Sequence, residues 1–261
     1  MNKKLEKSIY EMLKAISEIL KDNLQSFYIY GSCVLDDFKL GWSDIDILVL
    51  TKNKINLKTA NELLTLRQKL LEEYPGNKYF RKFEGAILSR SSFVKQTKDN
   101  VVYWGTRGEK IKENYKLDSF SMKELLENGL LLFGHDIRNQ LNKPTFNQLY
   151  EDILYHYETI RDYGQKADRN LYTFGWFLDI SRCLYTLQTE KIISKTKAGE
   201  WALKNNLCPD KKALKVCLKV RKHPSKCKKN KKIMDYAETL GPSIKDYADV
   251  LKISLENTKR S

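Results

Sequence analysis

A Gly-Ser break between two strand-like runs, followed closely by a pair of aspartates, constrains this chain more than any other feature of it. Ser26 to Tyr30 is a run suited to a strand, Gly31-Ser32 interrupts it, and Ser43 to Leu50 forms a second run. That second run opens on Asp44-Ile45-Asp46, twelve residues after Ser32. Side chains alternate along a strand, so Asp44 and Asp46 share one face while Ile45 and Ile47 point into a core. Two carboxylates held side by side repel, and a divalent cation removes the conflict. Mg²⁺ is the hard ion usually held by one or two carboxylates together with substrate phosphates. Gly31 allows torsions closed to other residues and lets a ligand approach the backbone. Ser32 adds a hydroxyl and an N–H for a phosphate oxygen, the more so where a helix starts. The combination is expected to hold a nucleotide and a metal ion, rather than to be a solvated strand face beside an ordinary turn.

The 261 residues suffice for two domains with buried cores, and the hydrophobic pattern changes once along the chain. Residues 3–24 place Leu5, Ile9, Met12, Leu13, Ile16, Ile19 and Leu20 at helical spacing, and residues 58–73 repeat the pattern until Tyr74-Pro75-Gly76-Asn77 stops it. Phe83 to Leu88 predicts a third strand and Val101 to Trp104 a fourth. The N-terminal half therefore reads as α/β, a small mixed sheet with helices on one face. After about Leu117 helical periodicity dominates. A helix capped by Ser119 or Ser121 is expected to run to Leu132 and end at Gly134. Further helices are expected over 144–166, 170–188, 195–205, 209–221, 229–240 and 243–257. The expected organisation is an α/β domain over residues 1–117 and an all-α helical bundle over 118–261.

No run is long and apolar enough to cross a bilayer, and Met1 to Lys7 leads into an amphipathic helix rather than a signal sequence. A cytoplasmic location with no membrane partner is the expectation. Five cysteines, Cys33, Cys183, Cys208, Cys217 and Cys227, form no Cys-x-x-Cys pair and are read as reduced thiols, not as a zinc set. The net charge is +14, concentrated between Lys211 and Lys232. Such a stretch attracts polyanions, yet it contains no Phe, Tyr or Trp to stack bases. It is read as a solvated helix surface, with nucleic acid not expected as the partner.

Glu84 is a carboxylate inside the otherwise apolar run Phe83 to Leu88, and an unpaired buried charge there is costly. It is either an edge or surface position, or a neighbour of Asp44 and Asp46 as a third metal ligand or as the base for an acceptor hydroxyl. These residues resemble the nucleotidyltransferase superfamily that includes DNA polymerase β, whose motif is Gly-Ser followed by Asp-x-Asp. The resemblance narrows in the second half. Leu131-Leu132-Phe133-Gly134-His135-Asp136, Ile180-Ser181-Arg182 and Lys191 to Lys195, leading to Ala198-Gly199-Glu200-Trp201-Ala202, are similar to segments of the aminoglycoside adenylyltransferases that modify spectinomycin or streptomycin.

That resemblance implies a polymerase-β-like nucleotidyltransferase domain and a helical domain, with a cleft between them. It implies Mg²⁺, two ions, on Asp44 and Asp46, nucleotide contacts from Gly31, Ser32, Arg182 and Lys195, and Glu84 as catalytic base. The implied reaction is transfer of AMP from ATP to a hydroxyl of a small antibiotic. The acidic segment with which relatives bind their cationic drug has only a displaced match here, Ala167-Asp168-Arg169-Asn170, about five residues too far upstream. Asp168, Asp179 and Glu158 are the acidic candidates for the acceptor. The alternative acceptor is a macromolecule, a protein to be AMPylated or an RNA.

Overall fold

The computed structural model describes residues 2–106 and 108–259. They form two compact units, one built from Met1–Phe38 and Ser43–Lys143, the other from Lys39–Trp42 and Pro144–Ser261.

The first unit holds a six-stranded mixed sheet: β1 (Leu24–Tyr30), β2 (Ile45–Thr51), β3 (Phe83–Ser89), β4 (Val101–Gly105), β5 (Gly108–Lys112) and β6 (Leu130–Gly134). The order is β5-β4-β3-β2-β1-β6, with β2 and β3 parallel and every other pair antiparallel. The helices are α1 (Lys3–Leu20), α2 (Leu57–Glu73), α3 (Arg90–Lys95) and α4 (Ser119–Asn128), and α2 makes the crossover that a parallel β2–β3 pair requires. Asn2 and Asn56 start α1 and α2 by accepting the otherwise unpaired N–H groups of Leu5 and Thr59. The apolar stripes of α1 and α2, including Ile9, Met12, Ile16, Leu63 and Leu66, bury against Phe27, Ile29, Ile47, Val49 and Ile87. Each such side chain contributes roughly 1.5–3 kcal/mol by leaving water.

The opposite sheet face is also covered. Tyr28, Leu48, Leu50, Ala86 and Leu88 pack with Phe93 of α3 and Leu125 of α4, so helices lie on both faces rather than on one. The helix expected to run to Leu132 stops earlier. Asp118 caps α4, Gly129 ends it, and Leu130–Gly134 becomes β6, antiparallel to β1. Periodicity does not distinguish a helix from a short continuous apolar strand, and here the pairing edge of β1 decides. The boundary expected at 117/118 therefore falls inside the first unit, which continues to Lys143.

The second unit is helical: α5 (Phe146–Thr159), which continues into a π-helical turn at Ile160–Gly164, α6 (Leu171–Thr189), α7 (Lys195–Lys204), α8 (Lys211–Lys222), α9 (Pro224–Cys227), α10 (Lys231–Glu238) and α11 (Gly241–Lys259). Thr145 and Gln148 close a capping box on α5. Helix α6 is buried along most of its length, and α5, α7, α8, α10 and α11 pack around it. A short piece from the first half of the sequence belongs here as well. The Arg221 guanidinium lies 5.2 Å from the Trp42 ring centroid, and Ser225 Oγ donates to the Leu40 carbonyl at 3.4 Å. All five cysteines are buried and unpaired. Among the described residues no helix is long and apolar enough to cross a membrane.

Candidate active site

The sheet register sets the site of the first unit. Tyr30 on β1 lies opposite Asp46 on β2, and Asp46 lies beside Glu84 on β3, so the row across three strands places the two carboxylates next to each other. Asp44 stands just before β2, two residues from Asp46 and on the same face. Gly31 ends β1 in the left-handed region at φ +68°, and a Cβ there would lie 2.1 Å from Asp46 Oδ2. Only glycine satisfies both the torsion and the approach. Residues Gly31–Cys33 form a 3₁₀ turn, in which the Gly31 carbonyl accepts from Val34 and Leu35, and Ser32 Oγ donates to the Asp44 carbonyl at 3.4 Å. The Gly-Ser turn and the aspartate strand are thus pinned to each other.

Glu84 is half-buried. Burial pushes its carboxyl above the ordinary range, as does the Asp44 charge, against a hydrogen bond from Tyr103 and the charges of Arg67 and Lys82. The Tyr103 hydroxyl donates to Glu84 Oε1 at 3.1 Å, and burial and the Glu84 charge push that phenol up to about 12, so it remains a donor at neutral pH. Lys82 Nζ lies 3.4 Å from Asp44 Oδ1. Arg67, buried on α2, donates to Glu109 Oε1 at 2.6 Å, the Phe83 carbonyl at 2.8 Å and the Gly105 carbonyl at 3.2 Å, which fixes the start of β3 one residue before Glu84.

Asp44 and Asp46 supply hard oxygen donors without sulfur or imidazole, the chemistry that suits Mg²⁺ shared with phosphates. Among the described residues no three His, Cys, Asp or Glu side chains converge closely enough to form a metal cage.

In the second unit, Arg182 lies on α6 and Lys195 is the first residue of α7, after the Ser194 cap. Asp179, one turn before Arg182, pairs with Lys195 at 2.7 Å. Burial works to raise the Asp179 carboxyl, but the cations Lys195 and Arg182 outweigh it and hold the carboxyl below its ordinary range. Of the acceptor candidates, Asp179 is therefore already committed to the lysine. Asp168 is exposed and accepts from Asn170, and at 3.3 Å from Thr173 Oγ1, in the loop where Asn170 caps α6. Glu158 is exposed on α5. Trp201, half-buried, packs edge-on against the half-buried Tyr185 at 5.2 Å.

Arg67, Lys82 and Tyr103 were not evident from the sequence. A lysine two residues before Glu84 was the one available signal; the other two are reached only through tertiary packing.

Comparison with known proteins completes the picture. A model of the nucleotidyltransferase domain matches residues 9–103, and one of the aminoglycoside adenylyltransferase C-terminal domain matches residues 146–240. Spectinomycin 9-adenylyltransferase of Staphylococcus aureus is 23% identical over 214 residues, 78% of this chain and 80% of the relative. That of Campylobacter jejuni is 23% identical over 212 residues, 75% of this chain and 77% of the relative. A crystal structure of spectinomycin adenyltransferase AAD(9) from Enterococcus faecialis, with ATP and spectinomycin, has the same fold at a TM-score of 0.71 and 17% identity, covering 95% of this chain and 99% of that one. The chain thus joins a nucleotidyltransferase domain to a segment that matches the aminoglycoside adenylyltransferase C-terminal domain, and it is similar over most of its length to spectinomycin 9-adenylyltransferases.

Proposed function

We propose that this protein transfers AMP from ATP to a hydroxyl of an aminocyclitol or aminoglycoside antibiotic of the spectinomycin or streptomycin type, releasing pyrophosphate. The observation that carries this reading is the row Tyr30, Asp46, Glu84 across three strands, with Gly31 pressed against Asp46. Asp44 and Asp46 hold Mg²⁺ in this scheme, and the ion supplies charge neutralisation at the phosphates and Lewis acidity at the reacting oxygens. Glu84 takes the proton of the acceptor hydroxyl as its oxygen bonds to the α-phosphorus and the bond to pyrophosphate breaks. A carboxylate made more basic by burial suits that task, and Tyr103 holds it in place.

Arg182 and Lys195 are the proposed cations for the β and γ phosphates. The N-terminus of α7 supports this role for Lys195, because the helix dipole favours an anion there. Asp179 then keeps Lys195 oriented when no phosphate is present. The names of the S. aureus and C. jejuni relatives support spectinomycin as acceptor and its 9-hydroxyl as the modified group.

Incubating the protein with α-labelled ATP, Mg²⁺ and spectinomycin or streptomycin tests the reading. Label is expected in the drug with one pyrophosphate released per transfer. Label entering protein or RNA, with none in either drug, would replace the antibiotic by a macromolecular acceptor.

A further inference from the structure

The positive charge of this chain is not spread over it. Residues 211–232 hold eleven lysines and arginines and no aspartate or glutamate, so 22 residues carry eleven of the fourteen net charges and the other 239 carry only +3. A general enrichment in lysine would distribute the excess. This one is local.

The fold sorts the segment cleanly. Ala213, Leu214, Cys217, Leu218, Pro224 and Cys227 turn inward and are buried, the one arginine, Arg221, is buried over Trp42, and all ten lysines are exposed. Folding does not explain where the lysines stand. Lys211 and Lys212 occupy the first turn of α8, and Lys231 and Lys232 the first turn of α10, the helix ends at which the dipole disfavours cations. Lys211, Lys215 and Lys219 follow one another at i, i+4 spacing along α8, where like charges repel. Among the described residues the ion pair of this surface is Lys222 with Glu200 at 2.6 Å, at one end of it. A surface that burdens its own helices in this way gains from a polyanion outside the chain.

We infer that the exposed lysine face of α8, α9 and α10 binds the phosphate backbone of a nucleic-acid duplex, without reading its sequence. A membrane is the poorer fit, since none of the large exposed apolar residues of the described chain lies in 211–232 and the apolar side of α8 is buried, leaving nothing to enter lipid. Single strands are the poorer fit as well, because the segment has no aromatic side chain on which bases could stack. Lysines are compact point charges that follow phosphates, without the rigid planar fork of arginine. The surface is independent of the adenylyl-transfer reading, because none of its lysines belongs to the proposed reaction.

The test uses the full chain and a fluorescent 20-base-pair RNA duplex, with a DNA duplex of the same sequence as a second arm, followed by anisotropy at 50 and 200 mM KCl. Binding is expected at 50 mM and is expected to weaken by roughly 10³-fold at 200 mM if about six phosphates are engaged. Replacing Lys215, Lys219, Lys228 and Lys231 by glutamine should lower the 50 mM affinity by at least tenfold and reduce the slope of log K against log salt by about one for each phosphate no longer neutralised. Circular dichroism and spectinomycin labelling of that variant should match the parent, which separates loss of this surface from failure of the fold or of the proposed reaction. Equal affinity of parent and variant for either duplex would overturn the inference. So would tighter binding to phosphatidylserine vesicles than to either duplex.

Discussion

The two units fix their charged groups by different means. In the first, Asp46 and Glu84 are placed by backbone: three strands in fixed register, a glycine whose missing Cβ makes room for the Asp46 carboxylate, and Arg67 tying α2 to β3 and β4. In the second, Lys195 is placed by another side chain, Asp179, reaching from α6 to the start of α7. The contrast follows the demands of the proposed chemistry. A base and metal ligands act within a few tenths of an ångström, whereas a cation that follows a phosphate tolerates more play.

If that distinction is right, substitutions in the first unit should abolish turnover and those in the second should weaken nucleotide binding. Asp46→Asn should reduce AMP transfer by about 10³-fold or more, because several kcal/mol of charge stabilisation at the phosphates is lost; pyrophosphate release in a coupled assay checks it. Glu84→Gln should lower kcat by about 10²- to 10⁴-fold, the range of general-base catalysis, with little change in the dissociation constant of ATP by calorimetry. Gly31→Ala changes no charge and still should cost roughly 10²-fold in kcat/KM, since its methyl group displaces Asp46. A Gly31→Ala enzyme of parental activity would break the comparison.

In the second unit, Lys195→Ala should raise the KM for ATP by roughly tenfold to a hundredfold, the worth of a charge-assisted hydrogen bond, and leave kcat nearly unchanged. The smallest expected effect concerns stability. Burial raises the Glu109 carboxyl, but hydrogen bonds from Arg67 and Gln68 and the Arg67 charge outweigh it, so its folded pKa lies below the ordinary 4.5. The stabilisation from that pair is complete above about pH 4.5 and disappears as pH falls through the lower, folded value. Thermal melts of Glu109→Gln should therefore lie below those of the parent near neutrality and converge with them in that acid window.

What was legible in the sequence divides along the same line. Gly31-Ser32 with Asp44-Ile45-Asp46 is local, since the pieces lie at the facing ends of the adjacent strands β1 and β2 within twenty residues, and the i, i+2 spacing puts the aspartates on one face. Glu84 was visible as a charge out of place in an apolar strand, though its position beside Asp46 rests on the parallel β2–β3 pairing. Helices α1, α2 and α6 were equally plain from their periodicity. Strand β6 was not. Leu130 to Phe133 continues the apolar pattern of α4, and only the free edge of β1 turns it into a strand. Arg67 offered no signal, because its three acceptors come from β3, β4 and β5 and meet only after folding. The lysine segment was seen from the sequence as a solvated surface; its helix-end placement and complete exposure came from the fold.

Residues 39–42 lie in the sequence between the Gly-Ser turn and the aspartates, yet belong to the helical unit, where Trp42 meets Arg221 and Leu40 meets Ser225. The chain therefore passes between the units three times. A catalytic fragment cut at residue 143 would leave Trp42 without its arginine, two positions from Asp44. A chimaera that borrowed the helical half of a relative would need a compatible seat for Trp42 as well as a joint at 143. Recombination among such enzymes is thereby penalised at a site that looks, in the linear sequence, like a loop of the other domain.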